Sequence, residues 1–80
     1  MRLNAVDLDE FAELINTCTG RVLLNTGEGD RLIANGLLTA AIGLASFFAV
    51  GQSQDISIEC EIPEEQQRIE RYIAYCQAGA

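Results

Sequence analysis

The chain has 80 residues, of which 49% are hydrophobic, and a formal net charge of −7 that arises from twelve acidic residues against five arginines. The length predicts one domain over residues 1–80, and the hydrophobic fraction excludes a disordered chain. A surface this negative repels phosphate groups, so neither nucleic acid nor an anionic membrane is expected as a partner.

The first predicted elements are a short strand and a helix. Residues 1–6 alternate loosely in polarity, which favours a strand. Asp7 is a suitable N-cap for a helix, with Glu10 three residues later as in a capping box. Apolar residues then recur at helical spacing and form one stripe, which consists of Leu8, Phe11, Leu14, Ile15 and Cys18. We expect the helix to end near Cys18, before Gly20.

A hairpin is predicted next. Residues 21–26 and 31–34 are strand-like, and residues 27–30 (Gly-Glu-Gly-Asp) have the composition of a turn.

The uncharged segment 37–50 (Leu-Leu-Thr-Ala-Ala-Ile-Gly-Leu-Ala-Ser-Phe-Phe-Ala-Val) is the most informative stretch of the chain. It is too short to cross a bilayer as a helix, which takes about 20 residues. It predicts a buried helix of about four turns. Gly43 in its middle costs roughly 1 kcal/mol relative to alanine, which is tolerable where close packing needs a small residue.

Residues 55–62 give the clearest strand pattern, because apolar and polar residues alternate strictly there. Pro63 then opens a second amphipathic helix with acidic residues in its first turn. The order (β)αββαβα predicts an α+β fold: an open-faced sandwich with an antiparallel sheet of three to four strands and three helices on one face.

This order resembles that of the HPr phosphocarrier family of the bacterial sugar phosphotransferase system, from about Phe11 to Tyr75. Phe11 matches a phenylalanine of that family's first helix, and its spacing to Val22 matches the step into the second strand. Residues 34–38 (Ala-Asn-Gly-Leu-Leu) resemble the Ala-Lys-Ser-Leu-Phe segment that opens the family's middle helix. Residues 55–62 and 63–76 resemble its last strand and last helix.

The departures from that family concern its chemistry. HPr proteins carry a phosphoryl group on a histidine in a Gly-x-His-x-Arg-Pro segment, whereas this chain contains no histidine and has residues 5–10 (Ala-Val-Asp-Leu-Asp-Glu) there, a shorter and acidic segment. A phosphohistidine needs the imidazole nitrogen as nucleophile and positive charge nearby. Gly36 stands at or near the family's regulatory serine. The resemblance therefore implies a form that is not competent for histidine phosphotransfer.

No catalytic or metal-binding set is recognisable. Without histidine or lysine, no Ser/His/Asp or Cys/His arrangement can form, and the paired acidic residues lie at predicted caps or a turn. The spacing of Cys18, Cys60 and Cys76 fits neither a disulfide framework nor a metal site. We expect no enzyme activity, no cofactor and no metal, and reduced thiols in a cytoplasmic protein; a cysteine-based redox sensor is the alternative for the thiols.

The predicted function is a non-catalytic HPr-like protein-interaction module, regulatory or assembly-related. The middle helix is apolar on every face, so it needs cover either from the flanking helices or from a partner protein or second copy. Its candidate partner-binding residues are Leu38, Ile42, Phe47 and Phe48. A structural subunit or homo-oligomeric small protein of unrelated role is the alternative.

Overall fold

Three helices and three strands form the part of the chain that the computed structural model describes, residues 1–35 and 40–79, with the backbone alone for residues 40–42. In chain order they are α1 (Leu8–Asn16), β1 (Val22–Thr26), β2 (Arg31–Ile33), α2 (Ala40–Gly51), β3 (Ile56–Cys60) and α3 (Pro63–Ala78). Apart from the first strand, this is the predicted order.

Helix α1 begins as its sequence predicts. The side chain of Asp7 accepts a hydrogen bond of 3.0 Å from the backbone N–H of Glu10, which satisfies one of the free donors of the first turn. The helix ends at Asn16, where the Thr17 hydroxyl donates to the carbonyl of Leu14 at 2.6 Å.

The strands form one antiparallel sheet in the order β2-β1-β3, so that β1 is central. The predicted turn closes the β1–β2 hairpin through a 2.9 Å hydrogen bond from Thr26 N–H to the carbonyl of Asp30, and Gly29 adopts a positive φ of 91°.

One face of the sheet carries the core. Buried side chains of β1 and β3 pack with buried side chains of all three helices in a single cluster, whose members include Val22, Leu24, Ile56 and Ile58 from the sheet and Phe11, Ile15, Leu44, Ile69 and Ile73 from the helices. The helices therefore cover one face, and the α+β open-sheet prediction is confirmed at that level.

Side-chain amides extend the sheet's hydrogen bonding beyond the strands. Gln66 of α3 accepts from Cys60 N–H and donates to the Ile58 carbonyl, both at 3.2 Å. Asn35, just after β2, accepts from Val22 N–H at 3.1 Å and donates to the Gly20 carbonyl at 2.7 Å. Each amide supplies one donor and one acceptor, as a neighbouring strand would.

Residues 1–6 do not form the expected strand. Met1 exchanges two hydrogen bonds with Ile56, from its amine at 2.8 Å and to its carbonyl at 2.7 Å. The chain then turns, because Ala5 has a φ of 67°, in the left-handed region that an extended strand excludes. Leu3 is fully buried and donates its N–H to the Gly51 carbonyl at 2.7 Å.

The middle helix extends from Ala40 to Gly51, and residues 36–39, which include the predicted start of this helix, lie outside the described residues. A Cβ at Gly43 would lie 2.7 Å from Cδ1 of Leu32 on β2. The close packing that makes a glycine acceptable in this helix is therefore the contact with β2.

Gly51→Ala is expected to lower the free energy of unfolding by about 1–3 kcal/mol, the usual cost of overpacking. A Cβ at residue 51 would lie 2.9 Å from Cγ and Cδ1 of the fully buried Leu3. Urea denaturation followed by circular dichroism measures the change. Gly27→Ala is the matched control, since no atom lies within 4 Å of a Cβ there, and it should change stability by less than about 0.5 kcal/mol. Equal losses in both variants would contradict the packing argument.

Candidate functional site

The predicted partner-binding residues of the middle helix lie only partly in the described structure. Phe47 and Phe48 are half-buried and pack against the core, and the Phe48 ring centroid lies 6.1 Å from that of Phe11. Leu38 and the side chain of Ile42 lie outside the described residues. The assignment of these four residues to a partner surface stays a prediction, and the large aromatic side chains among them already have intramolecular contacts.

The sheet surface opposite the helices is the more open surface. We define the open face as the outward side chains of the three strands: Leu23, Asn25, Arg31, Ile33, Ser57 and Glu59. No described helix covers it, because the buried core lies on the other side of the sheet. Sequence reasoning missed this surface, since the run Val22-Leu23-Leu24 is apolar at every position and does not show which residues face outward.

The open face has an apolar row and a polar row. In the apolar row, Leu23 of β1 lies opposite Ile33 of β2 and Glu59 of β3. Ile33 is 44% exposed, which makes it one of the few large hydrophobic side chains on the described surface. In the polar row, Asn25 lies opposite Arg31 and Ser57.

A shallow cavity of about 350 Å³ lies over the apolar row. It is lined by Arg21, Leu23, Ile33, Glu59, Cys60 and Glu61. The apolar floor and charged margin resemble the general anatomy of a protein-interaction patch more than that of a small-molecule site, which is usually enclosed.

The charges on this surface differ in whether they have a partner. Arg21 and Glu61 are joined at the margin, with 3.8 Å between Nε and Oε1, and Glu61 also accepts from the Arg21 backbone N–H at 2.8 Å. Arg31 and Glu59 are exposed and make no ion pair or side-chain hydrogen bond with any described residue. The open face thus presents one unpaired cation and one unpaired anion on its two outer strands.

The polar row contains an unsatisfied acceptor. Asn25 donates through Nδ2 to the Ser57 hydroxyl at 3.2 Å, which links β1 to β3. Its Oδ1 atom is buried and has no hydrogen-bond donor among the described residues. A buried acceptor without a hydrogen-bond donor is energetically unfavourable. The polar row therefore contains a hydrogen-bonding group that the described residues leave without a partner.

Of the two acidic residues at the start of α3, Glu65 has a structural role beyond favouring the end of the helix. Glu65 is buried, and its carboxylate accepts from the backbone N–H groups of Thr19 at 2.8 Å and Gly20 at 3.0 Å. These two hydrogen bonds hold the pKa of the Glu65 carboxyl below its ordinary value, since they stabilise the charged form. Arg68 lies 3.7 Å from the same carboxylate.

All three cysteines are free thiols, and each is buried or half-buried. Cys18 is buried, with its Sγ atom 3.6 Å from the Leu14 carbonyl and 3.7 Å from the Arg68 guanidinium. Burial, together with the neighbouring Cys18, Glu65 and Glu70, raises the pKa of the Cys60 thiol to about 11. A thiol that stays protonated at neutral pH is a poor nucleophile, which is unfavourable for redox sensing at Cys60.

Residues 1–35 and 40–79 contain neither a metal-binding cluster of side chains nor a membrane-spanning helix. No group of three or more Cys, Asp or Glu side chains in these ranges is placed to hold a metal ion. No helix in them has the length and apolar character needed to cross a membrane.

Comparison with known proteins gave no match: no protein-family model, curated protein or solved structure is similar to this chain. The likeness to HPr proteins therefore rests on the residues and the element order, and the family assignment stays a prediction.

Glu65→Gln is expected to lower the urea midpoint at pH 7, because the amide replaces an oxygen that accepts from the backbone with an NH₂ group. The folded-state pKa of Glu65 lies below the ordinary value of 4.5, so its stabilising effect is complete above that pH and is lost as the pH falls through the folded-state pKa. The difference between parent and variant should therefore narrow below about pH 4.5. The exposed neighbour serves as control, since Glu64→Gln should leave the pH 7 midpoint nearly unchanged.

Alkylation with iodoacetamide at pH 8.5 should label Cys60 slowly in the folded protein and rapidly in urea. An unperturbed cysteine, with a pKa of about 8.5, is half thiolate at that pH, whereas a thiol with a pKa of about 11 is almost wholly protonated. Peptide mapping by mass spectrometry after timed quenching gives the rate at each cysteine. Native labelling of Cys60 as fast as in urea would contradict the expected protection and would favour the redox alternative.

Proposed function

We propose that this chain is a non-catalytic protein-interaction module of HPr-like architecture, acting in the cytoplasm, and that it binds its partner through the open face of the sheet. The observation that carries the proposal is the apolar row of that face, where Leu23 and the 44% exposed Ile33 lie under a cavity with charged residues at its margin. Burial of such a row in an interface is favourable by roughly 25 cal/mol per Å² of apolar surface removed from water.

The HPr-like part of the proposal is supported by the element order. The described helices and strands follow the order αββαβα, and Phe11, which carries the resemblance in the first helix, is fully buried in the core. The absence of histidine from the sequence separates the chain from the family's phosphotransfer chemistry.

A binding role is favoured over catalysis by the chemistry of the exposed residues. The open face and its margin offer arginine, glutamate, asparagine and serine side chains. The buried carboxylate of Glu65 is already committed to two backbone donors. None of these groups is paired with a general base that would activate a nucleophile.

The open face is favoured over the middle helix because Ile33 is 44% exposed there and no described helix covers that side of the sheet. Phe47 and Phe48 pack against the core, and the exposed described positions of α2 include only the small side chains of Ala45 and Ala49 and the hydroxyl-bearing Ser46. Leu38 and Ile42 remain candidates for a second contact region.

Ile33→Glu is expected to abolish capture of a protein partner by the tagged chain from its native host. The matched control is Tyr75→Glu, because Tyr75 is 80% exposed on α3, away from the open face, and carries the same change in charge. The proposal is supported if a protein is captured in stoichiometric amount by the parent and by Tyr75→Glu, but not by Ile33→Glu. The same pattern should be seen in lysate and with the separately purified partner. Equal binding to all three chains would refute the open face as the binding surface.

A further inference from the structure

We propose that the partner of the open face includes a second copy of this chain, and that two open faces pack against each other around a twofold axis parallel to the strands. This inference rests on the proposed function, since it assigns an occupant to the same surface. Charge complementarity within a single face points to this occupant.

The open face carries its unpaired charges in a self-complementary arrangement. Arg31 lies on β2 and Glu59 on β3, on opposite sides of the central strand, and neither makes an ion pair with a described residue. With about 4.8 Å between neighbouring strands, these two columns are about 10 Å apart.

A twofold axis parallel to β1 exchanges the two outer columns. It brings β2 of one copy over β3 of the other, so that each Arg31 approaches the opposite copy's Glu59 and the interface contains this pair twice. Along the strand direction, Arg31 and the opposite copy's Glu59 are separated by one row, or two residues. This distance is about 7 Å and lies within the reach of an arginine side chain. The Leu23 side chains of the two copies meet near the axis, and the same operation places each Ile33 opposite the other copy's Glu59, whose side chain reaches across one row to Arg31. Sheets that pack face to face in this aligned way lie about 10 Å apart.

The acidic character of the rest of the molecule makes this charge-balanced face a less repulsive place for a second copy. The chain has a net charge of −7, yet the open face and its margin combine Arg21 and Arg31 with Glu59 and Glu61. A copy that approached any strongly acidic surface would meet like charge, whereas two open faces meet with balanced charge. The three strands contain only three to five residues each, so the interface is small and the dimer is expected to be weak and concentration-dependent.

Charge reversal tests the arrangement by sedimentation equilibrium over a wide concentration range. The parent should show a mass that rises above 8.7 kDa with concentration. Arg31→Glu and Glu59→Arg, each alone, should raise the dissociation constant at least about tenfold, because each makes like charges face each other. An equimolar mixture of the two variants should associate again, as should the double variant Arg31→Glu/Glu59→Arg, whose net charge equals that of the parent.

The single variants separate local from overall electrostatics. Glu59→Arg makes the net charge two units less negative and would strengthen association if overall repulsion alone governed it, whereas the twofold arrangement predicts weaker association. Recovery in the mixture also shows that both variants fold. Circular dichroism of each chain gives the same check independently.

A parent chain that stays at 8.7 kDa at the highest concentration overturns the dimer. The twofold arrangement is overturned if Glu59→Arg strengthens association. It is also overturned if neither the mixture of the two single variants nor the double variant associates as the parent does. The Ile33→Glu variant tests the proposed function separately. If the parent is monomeric and captures a different protein that Ile33→Glu does not bind, the interaction module stands and only the second copy is excluded as its partner.

Discussion

The carboxylate of Glu65 is the interaction on which the arrangement of the other elements depends. It joins the first turn of α3 to the connection between α1 and β1, where it accepts the N–H groups of Thr19 and Gly20. The negative charge also suits the N-terminal end of a helix, and Arg68 one turn later balances part of it. Because Gly20 lies just before the central strand, this contact holds the first turn of α3 beside the start of β1. The open face exists because all three helices lie on the other side.

The sheet is completed by side chains as much as by strands. Gln66 provides hydrogen bonds along the outer side of β3, Met1 pairs with Ile56 on the same side, and Asn35 continues the ladder beyond the end of β2. Unpaired strand edges invite association with other chains. On β3 the outward backbone groups are largely occupied in this way, so contact between copies is directed to the face of the sheet.

Local patterns predicted the elements, and long-range pairing explains what they missed. Asp7 capped its helix as expected, and the strict alternation of residues 56–60 gave a strand with one buried side. In both cases the information lies within a few residues. The burial of Glu65 depends on hydrogen-bond donors 45 and 46 residues away. The hydrogen bond between Asn35 and Val22 depends on the conformation of the turn that contains Asn35. The periodicity of hydrophobic residues encodes neither contact. Leu23 could not be assigned to a face, because both of its neighbours are apolar as well. The predicted strand over residues 1–6 failed at Ala5, whose backbone turns the chain inward.

The central position of β1 has a consequence for the way the chain folds as it is synthesised. The β1–β2 hairpin closes through local contacts, but the other side of β1 pairs with residues 30 or more positions later, and the Glu65 contact lies later still. Until β3 arrives, β1 carries an unpaired edge and exposes Val22 and Leu24, the side chains that become its buried face. Long-range pairing of this kind is slow and leaves the chain exposed to aggregation until it is complete. Docking of β3, with α3 directly behind it, is therefore the step that completes the core and removes this hazard.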